Sequence, residues 1–179
     1  MRLSRMGERA ARLIGGLVGL VVAACDDGTV ITRVAQFPGY DISLITSRGV
    51  VPTAVHGLPL QGMTADGVVA ALRMPGGYSQ SVRFVPVAVD DAEAREGHRL
   101  VLVFNRTDSP DPHRDCRAAA PLPTRAPGEE GFTVTMTLCG RDRPFATAHM
   151  EARRTRADDT AGFSQVMVRL LQQLLARDP

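Results

Sequence analysis

Alternating apolar residues over positions 132–139 form the most regular pattern in this 179-residue chain. One side of such a strand carries only apolar side chains: Phe132, Val134, Met136 and Leu138. Residues 140–143 then predict a turn, and residues 145–151 return as the second strand of a hairpin. A hairpin with one apolar face must be covered by another element, so the chain needs a partner layer.

The carboxyl-terminal region supplies an apolar stripe for that purpose. Its apolar residues recur at helical spacing: Phe163, Val166, Met167, Leu170, Leu171, Leu174 and Leu175. Asp158 and Asp159 precede the stripe and Arg177 follows it, as the helix dipole favours. The opposite side carries mostly glutamine, whereas a helix lying on a membrane usually has a basic polar face. We therefore expect this helix to pack on the sheet.

Further segments extend the domain on the amino-terminal side of the hairpin. The extended candidates are residues 52–57, 82–89 and 99–105, and the helical candidate is residues 65–74, with Thr64 as its N-cap. Pro86 favours an edge position for its strand, while the unbroken apolar run 100–104 is typical of a central strand covered on both faces. Residues 90–97 resemble a charged turn, and the proline-rich residues 106–130 a long loop.

This order of elements predicts an α+β fold. We expect a two-layer sandwich, in which a mainly antiparallel sheet of about four to five strands carries two helices on one face. Residues 26–39 are predicted to be a polar tether, within which residues 30–37 are a weak candidate for an edge strand.

The amino terminus carries four arginines, Arg2, Arg5, Arg9 and Arg12, followed by an apolar run to residue 24. This arrangement is typical of a secretory signal, and the run is shorter than the roughly 20 residues needed to span a bilayer. The run ends in Val-Ala-Ala followed by Cys25, which resembles the lipobox of bacterial lipoproteins. The resemblance implies cleavage before Cys25 and attachment of diacylglycerol to its thiol. The alternative is an ordinary secretory signal cut after Ala24, with a free thiol at Cys25.

The lipoprotein resemblance implies three segments: a signal peptide over residues 1–24, a lipidated cysteine and tether over residues 25–39, and one periplasmic domain over residues 40–179. It also implies attachment to the cell membrane, since two or more acyl chains give stable anchoring. Asp26 resembles the residue that retains lipoproteins in the inner membrane of Gram-negative bacteria. The inner membrane is therefore favoured over the outer.

Charge and cysteine content restrict the function further. Four of the 21 basic residues and one of the 19 acidic residues lie in residues 1–24, which leaves 17 basic against 18 acidic residues. The rest of the chain is therefore nearly neutral, which argues against nucleic-acid binding. No lysine is present, which removes Schiff-base chemistry. Cys116 and Cys139 are expected to form a disulfide in an oxidising compartment, stabilising the fold by about 3 kcal/mol. A metal or redox site is the alternative, although their separation is not that of a Cys-x-x-Cys pair.

The sequence contains no recognisable catalytic or phosphate-binding motif. His113 and Cys116 have a spacing that metal sites use, but three or four converging ligands are needed. The paired acids at 90–91 and 158–159 are explained by a turn and a helix cap. We therefore predict no catalytic residue, no metal and no cofactor.

Five arginines lie at the two ends of the predicted hairpin: Arg141, Arg143, Arg153, Arg154 and Arg156. They could contact an anionic partner or lipid headgroups, but a solvated rim is the favoured interpretation.

From residue 55 to residue 175 the order of features resembles small lipoproteins of proteobacteria. The matching segments are residues 55–59, 99–104, the cysteine at 116, residues 137–143 and the terminal helix. The resemblance implies no particular activity. We expect a non-enzymatic accessory or scaffold protein that docks on an envelope partner. A small-ligand or lipid-binding lipoprotein, with a pocket between sheet and helices, is the second hypothesis, and an envelope hydrolase the third.

Overall fold

The computed structural model describes residues 28–41, 43–46 and 49–176. In chain order its elements are β1 (Thr29–Gln36), α1 (Ser43–Thr46), β2 (Val50–His56), α2 (Ala65–Ala71), β3 (Arg83–Val87), α3 (Ala92–Glu96), β4 (His98–Phe104), α4 (Pro112–Arg117), β5 (Glu130–Gly140), β6 (Arg143–Arg156) and α5 (Thr160–Leu175).

The strands form one sheet in the order β1-β6-β5-β4-β2-β3. The prediction of an α+β fold is confirmed, but the predicted sheet was too small and too uniform. The sheet has six strands, and β2 pairs in parallel with both β3 and β4, while β1, β6, β5 and β4 pair antiparallel. The parallel part arises because the connections through α2 and α3 are long enough to return the chain to the same end of the sheet.

The predicted tether over residues 25–39 is wrong for residues 29–36, which form β1, whereas the edge-strand candidate at residues 30–37 is confirmed. This strand pairs with β6 along most of its length, with Ile31 opposite Met150 and Val34 opposite Ala148. Ile31 also packs against the main core, which favours including the strand in the domain. The folded domain therefore begins before residue 40. Residues 25–27 lie outside the described residues.

One face of the sheet carries the main core. The helices α2 and α5 both cover this face, as predicted, and Thr64 caps α2 by accepting a hydrogen bond from the N–H of Gly67 at 3.1 Å. The seven apolar residues of the α5 stripe are all buried, each contributing roughly 1.5–3 kcal/mol of hydrophobic free energy. Phe132 links strand to helix, with ring centroids 5.6 Å from Phe104 and 5.5 Å from Phe163.

The opposite face has a smaller core made by Val101, Val103, Cys116, Leu122 and Cys139. It is covered by α4 and the residues after it, so part of the molecule has a third layer rather than the two that were predicted. Two segments predicted as turn or loop are helical because Asp91 and Asp111 cap α3 and α4, accepting hydrogen bonds from Ala94 and from His113 and Arg114. The central position of β4 and the edge position of Pro86 in β3 are confirmed.

Candidate functional site

The sequence-predicted lipidation and sorting residues, Cys25 and Asp26, lie outside the described residues. The structure nevertheless places the chain that follows them. Gly28 accepts a hydrogen bond from the N–H of Arg153 at 3.2 Å, and its φ of +65° is the left-handed conformation that glycine adopts readily. A Cβ at position 28 would lie 3.2 Å from Cγ of Arg154. The chain therefore enters the sheet beside the last residues of β6.

The first strand, β1, forms one edge of the sheet. Val30 and Val34 are 44% and 41% exposed, which is unusual for large apolar side chains in a described domain whose other valines are mostly covered. A register shift between Ile31 and Arg33 marks a bulge in the strand. The outer backbone groups of an edge strand are available to pair with another chain. The opposite edge, β3, carries Pro86, which has no N–H to donate.

The two remaining cysteines meet on the second face of the sheet. Cys116 of α4 and Cys139 of β5 form a disulfide, with their Cα atoms 5.5 Å apart and both residues buried. Arg99 reinforces this attachment, since its guanidinium donates to the carbonyls of Cys116, Arg95 and Arg141. Burial lowers the pKa of Arg99, with a smaller contribution from Arg95. The disulfide thus fixes the region predicted as a long loop, residues 106–130, onto the sheet.

A buried ion pair joins the start of the same region to α4. The guanidinium of Arg106 contacts the carboxylate of Asp115, and their side chains are 3% and 0% exposed. The Nε atom of Arg106 also lies 3.0 Å from a carboxylate oxygen of Asp108. Burial raises the pKa of Asp115, while Arg106 and a hydrogen bond from Thr137 oppose the shift. This pair gives no signal in the sequence, because its members lie in a proline-rich segment without periodicity.

His56, the last residue of β2, also attaches residues 106–130 to the sheet. Its Nδ1 accepts a hydrogen bond from the N–H of Leu122 at 3.1 Å, and the residue is 2% exposed. Burial, together with the charges of Arg106 and Arg99, lowers the pKa of His56 from 6.5 to about 4. The imidazole is therefore neutral near pH 7 and serves as an acceptor for the loop backbone.

The other histidines do not converge. His113 contacts the ring of Phe37 at 5.8 Å, His98 lies 5.6 Å from the ring of Phe145, and His149 is 3.0 Å from the hydroxyl of Thr135. Cys116 is joined to Cys139, so the His113 and Cys116 spacing does not form a thiolate site. Within residues 28–41, 43–46 and 49–176, no three or more His, Cys, Asp or Glu side chains cluster as a metal site.

The five arginines lie at the two ends of the β5–β6 hairpin, as predicted. Arg141 and Arg143 lie at the β5–β6 turn, whereas Arg153, Arg154 and Arg156 lie beside Gly28 at the other end of β6. Arg153 pairs with Glu151 at 3.1 Å and Arg156 with Asp158 at 3.3 Å. A hydrogen bond from Arg153 holds the pKa of Glu151 below its ordinary value. Both signs of charge therefore meet where the chain enters the sheet.

Two open grooves lie at this same end. The first, called here the β5–β6 groove, has a volume of about 440 Å³ and is lined by Arg125, Glu130, Gly131, Thr133, Glu151 and Arg153. The second, called the helix groove, has about 510 Å³ and lies between α2 and α5, lined by Met63, Thr64, Ala71, Arg73, Ala161 and Phe163. Both volumes fall in the range of small-molecule sites, about 300–1,000 Å³. No helix of the described ranges is long and apolar enough to cross a bilayer.

Among known proteins, only distantly similar solved structures were found. A scan of protein-family models found no match, and a search of curated proteins found none. Among solved structures, the chain is similar to the PelC dodecamer from Paraburkholderia phytofirmans, with 13% identity, a TM-score of 0.41, and coverage of 84% of this chain and 99% of that chain. A variant of that dodecamer gives 14% identity, a TM-score of 0.38, and coverage of 83% and 100%.

Proposed function

We propose that this chain is a lipid-anchored protein of the bacterial envelope that acts without catalysis, by docking an extended segment of a partner protein on the outer edge of β1. The observation that carries the proposal is the position of this edge. It is exposed, it presents two valines to solvent, and it begins four residues after the cysteine of the lipobox.

The short connection to Cys25 determines where the edge would act. Only residues 26–28 separate Cys25 from Thr29. The four residue steps from Cys25 to Thr29 span at most about 14 Å, so a lipid on Cys25 would hold the start of β1 close to the membrane surface. Envelope proteins anchored in the same membrane would then meet the edge at high local concentration.

Strand addition explains why such an edge would be left open. An extended peptide can pair with the backbone of an exposed strand and place alternate side chains against it. β1 has no proline over its eight residues. Its bulge between Ile31 and Arg33 divides the edge into two short segments, so we expect a few main-chain hydrogen bonds per partner and contacts to Val30 and Val34.

The anchor is tested by replacing Cys25 with alanine. The wild-type protein is expected in washed membranes, with acyl chains on its amino-terminal peptide by mass spectrometry. The Cys25→Ala protein is expected to leave the washed membranes. An unmodified peptide, or membrane retention of Cys25→Ala, would contradict the anchor. Replacing Asp26 with serine is expected to shift the protein towards the outer-membrane fraction if Asp26 acts as the retention signal.

The docking edge is tested by crosslinking in cells that express the tagged, lipidated protein. Lysine on an edge strand blocks strand addition, so Val30→Lys and Val34→Lys are expected to lose the captured partner. Val50→Lys is the matched control, because Val50 is 36% exposed at the start of β2, away from β1. Equal capture by all three variants would contradict docking at β1, even if the anchor is present.

The helix groove supports a second candidate function, binding of a small ligand or lipid. The pocket expected between sheet and helices is filled in the described domain, since the α5 stripe is buried against the strands. The helix groove lies instead between α2 and α5. If it is a ligand site, a lipid extracted from the purified protein should disappear in Ala161→Trp and persist in Ala119→Trp, an exposed control position.

A further inference from the structure

We propose that the β5–β6 groove binds the zwitterionic headgroup of a membrane phospholipid, with phosphoethanolamine as the headgroup of matching chemistry. This inference rests on the lipid anchor proposed at Cys25, because the anchor determines which end of the domain meets the bilayer.

The groove and the anchor share one end of the sheet. Gly28 is hydrogen-bonded to Arg153, and Arg153 lines the groove. Because the chain between Cys25 and Gly28 can span at most about 10 Å, the groove lies near the headgroup layer when Cys25 is lipidated. That layer adds several ångströms to each side of a hydrocarbon core about 30 Å thick.

The opposite end of the domain is held away from the membrane. Arg143 begins β6 and Arg153 lies near its end. A strand rises about 3.3 Å per residue, which puts these two arginines roughly 30 Å apart. The β5–β6 turn therefore projects away from Gly28, and its arginines provide controls of the same residue type.

The charges of the groove match a headgroup with two opposite charges. Arg125 and Arg153 present guanidinium groups, which bind phosphate oxygens, and Glu130 and Glu151 present carboxylates, which bind an ammonium. Equal numbers of both signs would attract and repel a purely anionic headgroup to a similar extent. A phosphodiester next to a primary ammonium uses both sets of groups.

Arg125 is the residue best placed to bind the phosphate. Its backbone N–H donates to the carbonyl of Asn105 at 2.8 Å, which fixes the backbone at the groove wall. Across the described ranges its guanidinium makes no ion pair. Arg153, in contrast, already contacts Glu151 at 3.1 Å.

The test uses the lipidated protein in nanodiscs that contain phosphatidylethanolamine with a diazirine near the glycerol end of one acyl chain, which leaves the phosphate and the ammonium of the headgroup free. Crosslinks mapped by mass spectrometry are expected in residues 125–133 and 151–153. Arg125→Ala is expected to reduce their yield about fivefold, as for loss of one partly exposed charge-assisted contact. Arg143→Ala is expected to leave the yield unchanged. The variants replace exposed side chains, and equal urea unfolding midpoints would verify that both fold.

Three results would overturn the inference. These are crosslinks at residues 140–143 instead of the groove, an unchanged yield in Arg125→Ala, or an equal yield with an anionic phosphatidylglycerol probe. The mass of the amino-terminal peptide separates this failure from failure of the anchor. If Cys25 carries lipid and the groove is not crosslinked, only the headgroup site is wrong. If Cys25 carries no lipid, the proposed anchoring is wrong as well.

Discussion

Lowering the pH from about 7 to about 4 is expected to destabilise this domain by about 3 kcal/mol through the buried imidazole of His56. In the folded protein, His56 accepts a hydrogen bond from the N–H of Leu122. Burial, together with the charges of Arg106 and Arg99, lowers its pKa from 6.5 to about 4. Because the folded pKa is the lower one, the unfolded chain takes up the proton first as the pH falls. This contribution to stability is present above pH 6.5 and is lost progressively down to about pH 4.

The magnitude follows from the difference between the two pKa values. Each pKa unit corresponds to about 1.36 kcal/mol, so a shift from 6.5 to about 4 gives roughly 3 kcal/mol. His56 is 2% exposed, so screening by solvent does not reduce this value much. Asp115 acts in the opposite direction, since its raised pKa lets the folded state hold a proton at higher pH than the unfolded chain.

The assay is urea unfolding at several pH values with the disulfide kept oxidised. His56→Asn retains an oxygen that can accept from Leu122 but does not titrate. We expect the wild type to lose about 3 kcal/mol more than His56→Asn between pH 7 and pH 4. His113→Asn is the matched control, because His113 is exposed on α4 and should keep the wild-type pH dependence. Equal pH dependence in the wild type and His56→Asn would refute the assignment of a buried, neutral His56.

Three further changes test the attachment of residues 106–130 and the packing beneath it. Replacing Cys116 and Cys139 by serine should lower the free energy of unfolding by about 3 kcal/mol, measured in urea beside the wild type under oxidising conditions. Asp115→Ala should cost about 3 kcal/mol in the same assay, because it leaves the buried guanidinium of Arg106 with only the partly exposed carboxylate of Asp108. Gly57→Ala should lower the melting temperature more than Gly62→Ala: both have positive φ, but only at position 57 would a Cβ lie 2.9 Å from neighbouring atoms.

Sequence periodicity predicted the hairpin and the final helix well. Alternation over residues 132–139 predicted a half-buried strand, and the stripe from Phe163 to Leu175 predicted a helix with one apolar face. Each of these apolar faces needed a cover, and the other face could supply it. The structure places both where expected, with β5 and β6 paired and α5 packed on them. The apolar run at residues 100–104 predicted a buried strand, because no polar residue interrupts it, and all five residues are buried.

Short or weakly patterned segments were harder to predict. The first strand contains arginine, threonine and glutamine, and its pairing with β6 depends on residues more than a hundred positions later. The helices α3 and α4 have five and six residues, too few for a periodic pattern, and depend on their aspartate caps. The parallel pairing of β2 with β4 could not be predicted either, because local sequence does not specify the direction of a neighbouring strand.

The sequence by itself determined the elements whose side-chain period is strong and the pairing partners available to two cysteines, and the lipid anchor at Cys25 stays a prediction. Only the tertiary structure decided which residues meet across long separations. It brought His56 to Leu122, and it paired β1 with β6. Periodicity acts over a few residues, whereas these contacts depend on how six strands are ordered in the sheet.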